Sequence, residues 1–163
     1  MARITLKGNA IQTEGNLPAV GSQAPDATLT GLDLGDKKLS SISGKRVLNI
    51  FPSVDTSVCA TSVRTFNKRA TEKPNVTVIN VSMDLPFALK RFCGAEGIEK
   101  ALTFSGFRGD FGKQYGVTIK EGGLAGLYSR AVVVLDESGK VLHAEQVPEI
   151  GQEPNYDAAL AKL

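Results

Sequence analysis

Apolar and polar residues alternate through Arg3-Ile4-Thr5-Leu6-Lys7 and again through Ala10-Ile11-Gln12-Thr13. A period of two turns one edge of each segment toward a core, so the pattern predicts two short strands. Gly8-Asn9 between them predicts a tight hairpin turn. Residues 14–38 are rich in Gly, Pro, Asp and Ser, with only short apolar segments, and read as connection holding two short strands. After them the pattern sharpens. Arg46-Val47-Leu48-Asn49-Ile50-Phe51 is a nearly continuous apolar run closed by Pro52, the mark of a strand buried on both faces. From Thr56 onward Cys59, Val63, Phe66 and Ala70 recur at helical spacing, with Thr61, Arg64, Asn67 and Lys68 on the other side. Residues 76–82 form the next strand. Asp84-Leu85-Pro86 then predicts a helix start, with Asp84 as cap and the proline near the first helical position. Gly94 predicts the stop of that helix immediately after Cys93.

The rest of the chain predicts a short strand near 101–104, a short helix near 110–115 and a glycine-rich loop at 121–126. Two strong strands follow at 131–136 and 141–147, joined by Glu137-Ser138-Gly139-Lys140, and a helix from about 154 to 163 ends the chain. The order β-α-β-α-β-α and then β-β-α describes an α/β protein. Its central sheet is mixed, with helices on both faces and the N-terminal β-hairpin in front. A length of 163 residues fits one domain, 1–163, with residues 1–14 as a hairpin extension.

A hydrophobic fraction of 42% beside a charged fraction of 22% excludes a disordered chain. Net charge is only +2, and the Lys and Arg residues are scattered rather than clustered, which argues against a nucleic-acid partner. No stretch approaches the apolar run that a membrane helix requires, and the N-terminus carries no signal-like apolar segment. The expectation is a cytoplasmic protein with no membrane partner. Its two cysteines should then be free thiols, and any bond between them transient and catalytic.

The chemistry concentrates in Pro52-Ser53-Val54-Asp55-Thr56-Ser57-Val58-Cys59, which leads from a buried strand into a helix. Free N–H groups and the positive end of the helix dipole favour an anion there, and the thiolate is the reactive form of cysteine. Thr56, three residues earlier, can set its hydroxyl beside the sulfur, and Pro52 offers no N–H and can screen the site from water. A cysteine on an inward helical stripe is also commonly an inert small hydrophobe, and position alone does not separate the two readings. Cys93, at a helix end, is still more open to an incidental reading. Arg130 precedes an apolar strand, where a solvated arginine is the ordinary finding.

Pro52 to Cys59 carries the P-x-x-x-T-x-x-C signature of the peroxiredoxins. The fuller run through Asn67 resembles the bacterial thiol peroxidases, the atypical two-cysteine branch of that family. The likeness continues through Arg91-Phe92-Cys93-Gly94-Ala95-Glu96-Gly97 and Ser129-Arg130-Ala131-Val132-Val133-Val134, and covers nearly the whole chain. The 34-position separation of the cysteines is that branch's arrangement, and no motif position departs from it. The resemblance implies a thioredoxin-like fold and a peroxidase acting on hydrogen peroxide and alkyl hydroperoxides without a cofactor. In that reading Cys59 is the peroxidatic thiolate, Thr56 and the Cys59 N–H hold the peroxide oxygens, Pro52 shields the sulfur and Arg130 supplies positive charge. Cys93 resolves the Cys59 sulfenic acid as an intramolecular disulfide, thioredoxin is the reductant, and the assembly is a homodimer. A helix-embedded Cys59 cannot easily reach the next helix, so local unwinding should accompany the bond. The apolar residues Phe51, Phe87, Phe92 and Leu124 are candidates for a substrate rim, though plain core is the commoner use of such residues.

Two other functions compete. A thioredoxin-like disulfide oxidoreductase would need a second thiol beside the nucleophile, and Thr56 stands where C-x-x-C would place it. A thiol-based peroxide sensor would use the same switch without fast turnover. Two Cys and one His in separate elements lack the spacing of metal ligands. His143 reads as a half-exposed strand residue, and the loop 122–126 lacks a phosphate-binding pattern and reads as a turn near the site's rim. Caps and turns account for Asp55, Asp84 and Asp110.

Overall fold

The computed structural model describes residues 1–70 and 72–163. An N-terminal hairpin, β1 (Arg3–Leu6) and β2 (Asn9–Gln12), precedes β3 (Thr28–Thr30) and β4 (Asp36–Lys38). The core units follow as β5 (Lys45–Ile50), α1 (Ser57–Arg69), β6 (Val76–Ser82), α2 (Pro86–Glu96), β7 (Leu102–Ser105) and α3 (Phe111–Tyr115). The chain closes with β8 (Ala131–Leu135), β9 (Val141–Gln146) and α4 (Tyr156–Leu160). The larger sheet has the order β4-β3-β7-β6-β5-β8-β9. Strands β5, β6 and β7 are parallel, because α1 and α2 carry the chain back between them, and the flanking strands join antiparallel.

Alternation along the central strands divides the core in two. Val47, Phe51, Val78, Val132 and Val134 face α1, α2 and α4, meeting Val63, Phe66, Leu89 and Leu160. Leu48, Ile50, Ile79, Val81 and Val133 face the other way, against Phe111 and Tyr115 of α3 and against Tyr128. Burial on both faces explains why these strands read as near-continuous apolar runs. The thioredoxin-like arrangement with helices on both faces is therefore the one built, and the β1–β2 hairpin lies outside the larger sheet.

Four local expectations need correction. The hairpin turn is Lys7-Gly8 rather than Gly8-Asn9, with φ of 51° and 81°. This is the left-handed pair that a two-residue turn matching strand twist requires. That register sets Ile4 opposite Ile11, and both enter a small apolar cluster with Ile119 and Ile150. Helix α2 runs through Gly94 and stops at Gly97, which takes φ 66° while the Gly97 and Ile98 N–H groups close on the Cys93 carbonyl. Cys93 thus lies inside the last turn rather than at the terminal residue. Pro86 does begin α2, but the cap position is Leu85, and the Asp84 carboxylate is used elsewhere. Helix α4 is shorter than its predicted span, starting only after Asn155, whose side chain accepts from the Ala158 N–H.

Candidate active site

After β5, Phe51 and Pro52 remain buried and residues 53–56 turn the chain into α1. Asp84, from the loop after β6, holds this turn in place. Its carboxylate accepts from Ser53 Oγ at 2.7 Å, from the Val54 N–H at 2.9 Å and from Ser82 Oγ at 2.6 Å. A carboxylate read from sequence as a helix cap is therefore a strut between two loops at the same end of the sheet. Thr56 occupies the N-cap of α1 with extended backbone, yet its hydroxyl donates to the Ser53 carbonyl at 3.1 Å instead of capping. The first-turn N–H groups are left available to a negatively charged or polar oxygen.

Cys59 is the third residue of α1 and is fully buried. Arg130, which enters from the start of β8, is 2% exposed and donates from Nη2 to the Cys59 sulfur at 3.2 Å. Its Nε donates to the Ile150 carbonyl at 2.8 Å, while Nη1 is buried with no hydrogen-bond partner among the described residues. None of the ion pairs among those residues involves Arg130. A guanidinium sealed from water costs free energy unless negative charge or acceptors compensate it. Here a sulfur and a carbonyl share that task. The arrangement leaves one guanidinium donor for a further acceptor.

Above this pair is an open pocket of about 260 Å³ whose wall includes Pro52, Thr56, Val58 and Arg130. The opposite side comes from Leu6 and Lys7 of the hairpin, Leu124 of the glycine-rich loop, and Glu149 and Ile150. Of the residues predicted to rim the site, only Leu124 does so. Phe51 and Phe92 belong to the core under α1 and α2, and Phe87 is 68% exposed and lines no part of this pocket. Sequence reasoning missed the hairpin and the 149–151 segment because the bonds that bring them here span the chain. Glu149 accepts from Thr5 Oγ1 at 3.0 Å and from the Gly8 N–H at 2.9 Å, and no local spacing signals either contact.

Cys93 is 8% exposed and shares an apolar cluster with Cys59, and both are free thiols. Its Sγ donates to Thr103 Oγ1 at 3.4 Å. Burial pushes this thiol above its ordinary pKa, with the Thr103 contact opposing in part. Cys93 opens onto a different cleft, of about 460 Å³, shared with Leu32, Asp33, Ile98 and Thr103. The helices that carry the two cysteines are clamped from outside. Arg64 of α1 grips Glu96 of α2 through two bonds, of 2.7 and 2.9 Å, and Arg91 of α2 reaches Asp55 at 3.2 Å.

A buried cysteine in the first turn of a helix, faced by a buried arginine at the end of parallel strands of this sheet, defines a thioredoxin-like thiol enzyme. The chain belongs to the Redoxin family, whose match covers residues 19–160. It is 62% identical over 164 residues to a thiol peroxidase of Mycobacterium tuberculosis, spanning 100% of this chain and 99% of that protein. A thiol peroxidase of Corynebacterium glutamicum is 49% identical over the same shares of both chains. Among solved structures, a peroxiredoxin-like protein from Aquifex aeolicus superposes with a TM-score of 0.94 at 40% identity, covering 99% of this chain and 95% of its own. A thiol peroxidase from Chromobacterium violaceum gives 0.89 at 25% identity, over 96% and 91%. The chain is a thiol-dependent peroxidase of the peroxiredoxin type.

Proposed function

We propose that Cys59 is the peroxidatic residue and that Cys93, Thr56, Arg130 and Pro52 complete the catalytic set. The observation that carries this reading is the 3.2 Å contact between the Cys59 sulfur and Arg130, which lines an open pocket. The Cys59 thiolate attacks one oxygen of a hydroperoxide, the O–O bond breaks, and the departing oxygen takes a proton and leaves as water or an alcohol. Negative charge grows on that oxygen as it leaves. Donors fixed around it, from Arg130 and the Cys59 N–H, lower the barrier most where water is excluded, while the Thr56 oxygen, whose proton goes to the Ser53 carbonyl, accepts from the hydroperoxide O–H. Pro52 contributes a wall with no N–H to hold a competing water.

Cys59 is left as a sulfenic acid, the reversible first stage of thiol oxidation. The Cys93 sulfur then attacks the Cys59 sulfur, the S–O bond breaks, and the thiol proton leaves with the hydroxyl as water. The product is an intramolecular disulfide, which an external dithiol reduces by exchange while becoming a disulfide itself. Thioredoxin is the proposed reductant, and the cleft beside Cys93 gives it a line of approach. The substrates are hydrogen peroxide and alkyl hydroperoxides. Leu6, Leu124 and Ile150 make one side of the pocket apolar, which favours the alkyl class.

The proposed assembly is a homodimer in the cytoplasm, each chain one domain with the 1–14 hairpin as its extension. Leu85, Phe87 and Phe107 stand exposed on the loops and helix start that follow β6 and β7, a grouping that favours contact with a second copy. No helix among the described residues is long and apolar enough to cross a membrane.

The decisive experiment measures peroxide consumption with thioredoxin and its reductase for the wild type, Cys59→Ser and Cys93→Ser. The expected result is no turnover for Cys59→Ser, and about one turnover for Cys93→Ser before the sulfenic acid stalls or oxidises further. Sustained turnover by Cys93→Ser at the wild-type rate would remove Cys93 from the cycle.

A further inference from the structure

Beneath α1 and α2 the middle of the sheet is polar where its neighbours are aliphatic. Asn49 of β5 stands in register with Asn80 of β6, and Asn80 with Thr103 of β7. All three turn toward the helical face that carries both cysteines, since Asn49 reaches Ser62 of α1 and Thr103 reaches Cys93 of α2. Ser62 Oγ donates to the Cys59 carbonyl at 2.8 Å. Asn49 Nδ2 donates to Ser62 Oγ at 3.2 Å and to Asn80 Oδ1 at 3.1 Å, and Asn80 Nδ2 to the Leu102 carbonyl at 3.4 Å. At the far end the Cys93 sulfur donates to Thr103 Oγ1. A row of polar groups, hydrogen-bonded from the Cys59 carbonyl as far as the Leu102 carbonyl, thus leads to the neighbourhood of Cys93.

One atom of this row is unpaired. Asn49 Oδ1 is buried and has no hydrogen-bond partner among the described residues. The orientation of its amide follows from its neighbours. The Ser62 hydroxyl proton is committed to the Cys59 carbonyl and Asn80 presents an oxygen, so the Asn49 atom between them must be the donor nitrogen. A buried acceptor left without a donor costs free energy in this state. A donor brought to it in another state of the chain would satisfy it.

The proposed disulfide step supplies such a state. Cα atoms must come within about 7 Å for the bond to close, and Cys59 sits in the first turn of α1, where the Ala60 N–H is tied to the Thr56 carbonyl at 3.0 Å. Opening that turn frees the Ala60 N–H, which adjoins the Cys59 carbonyl that Ser62 holds. We infer that Asn49, Asn80 and Ser62 are positioning residues for the resolution step, with Asn49 Oδ1 as the acceptor for backbone N–H groups released when the Cys59 turn opens. The inference rests on the disulfide cycle proposed above. The step itself is balanced within the chain. The Cys93 thiol and the Cys59 sulfenic acid give one disulfide and one water, and the polar row contributes hydrogen bonds but no atoms.

The test follows the two steps separately in the reduced full chain mixed with one equivalent of hydrogen peroxide. Samples are quenched by alkylation and read by mass for sulfenic acid, disulfide and sulfinic acid. Asn49→Leu combined with Asn80→Leu removes both amides together and leaves Ser62 bonded to Cys59. The expected result is unchanged sulfenic acid formation, disulfide formation slowed about tenfold by the loss of a hydrogen bond made only along that path, and more sulfinic acid at excess peroxide. Ser62→Ala should shift the same ratio in the same direction, and Ser62→Thr, which keeps the hydroxyl, should restore it. If the double variant does not fold, the Ser62 pair carries the test alone. Wild-type partitioning between disulfide and sulfinic acid in the folded variants would overturn the inference, as would equal slowing of both steps. A wild type that forms no disulfide at all would instead overturn the proposed cycle.

Discussion

The Nη2 of Arg130 lies 3.2 Å from the sulfur of Cys59, although 71 positions separate them in the chain. The contact exists because β8 lies antiparallel to β5, with Ala131 opposite Ile50. The residue before β8 is thereby delivered to the end of β5, where α1 begins. Replacing Arg130 with Gln should slow the first oxidation of Cys59 by roughly 10²-fold, the usual cost of losing one preorganised donor to a developing negative charge. Arg130→Lys should recover part of that loss, since it keeps the charge but not the fork of donors. Stopped-flow consumption of a single equivalent of peroxide measures this, and an unchanged rate in Arg130→Gln would separate the arginine from the chemistry.

Much of this was legible in the sequence. The element order, the place of Cys59 on the inward stripe of α1 and the position of Arg130 at a strand start all follow from local periodicity and punctuation. What stayed hidden depends on contacts between distant segments. Asp84 looks like a cap because Leu85-Pro86 follows it, and only the neighbouring loop makes its carboxylate a strut for Ser53 and Val54. Cys93 looks terminal because Gly94 follows it, yet a glycine stops a helix only where the backbone turns left-handed, which happens at Gly97. The hairpin's share in the pocket is invisible because it depends on Glu149.

Asp84→Ala should cost about 2 kcal/mol, the scale of hydrogen bonds made to a charged group. The peroxide rate should fall with it, because the 53–56 turn loses its tether. Chemical denaturation and single-turnover kinetics on the same variant check both. The predicted loss of stability with an unchanged rate would mean that the turn keeps its shape without the strut.

Glu149 predicts an acid-sensitive hairpin. The Gly151 and Gly8 N–H groups, with Thr5, hold its carboxyl below the ordinary 4.5. A depressed folded pKa means that its contribution is fully present above about pH 4.5 and is lost as the pH falls through the lower folded value. Hydrogen exchange at Gly8 and Thr5 should therefore show protection falling at acid pH in the wild type. In Glu149→Gln that protection should be weak at every pH. A pH-independent wild type would contradict this.

Cys93 should behave as a reluctant thiol until the helices open. Its burial sets the folded pKa above the ordinary 9.0, so in Cys59→Ser the rate of iodoacetamide alkylation should rise with a midpoint above that value. Because the unfolded thiol ionises first, the variant should also lose stability as the pH rises from about 9 toward the folded value. A midpoint at or below 9 would show that Thr103, whose contact opposes the effect, outweighs burial.

Peroxide should drive the two buried thiols, both free in this structure, into one intramolecular bond. The most direct measurement is the mass and peptide map of the reduced chain after one equivalent of hydroperoxide and rapid alkylation. The expected product is a monomer chain two hydrogens lighter, with neither cysteine alkylated and a single cross-linked peptide containing Cys59 and Cys93. An oxidised Cys59 beside an alkylated Cys93, or a disulfide between two chains, would contradict it.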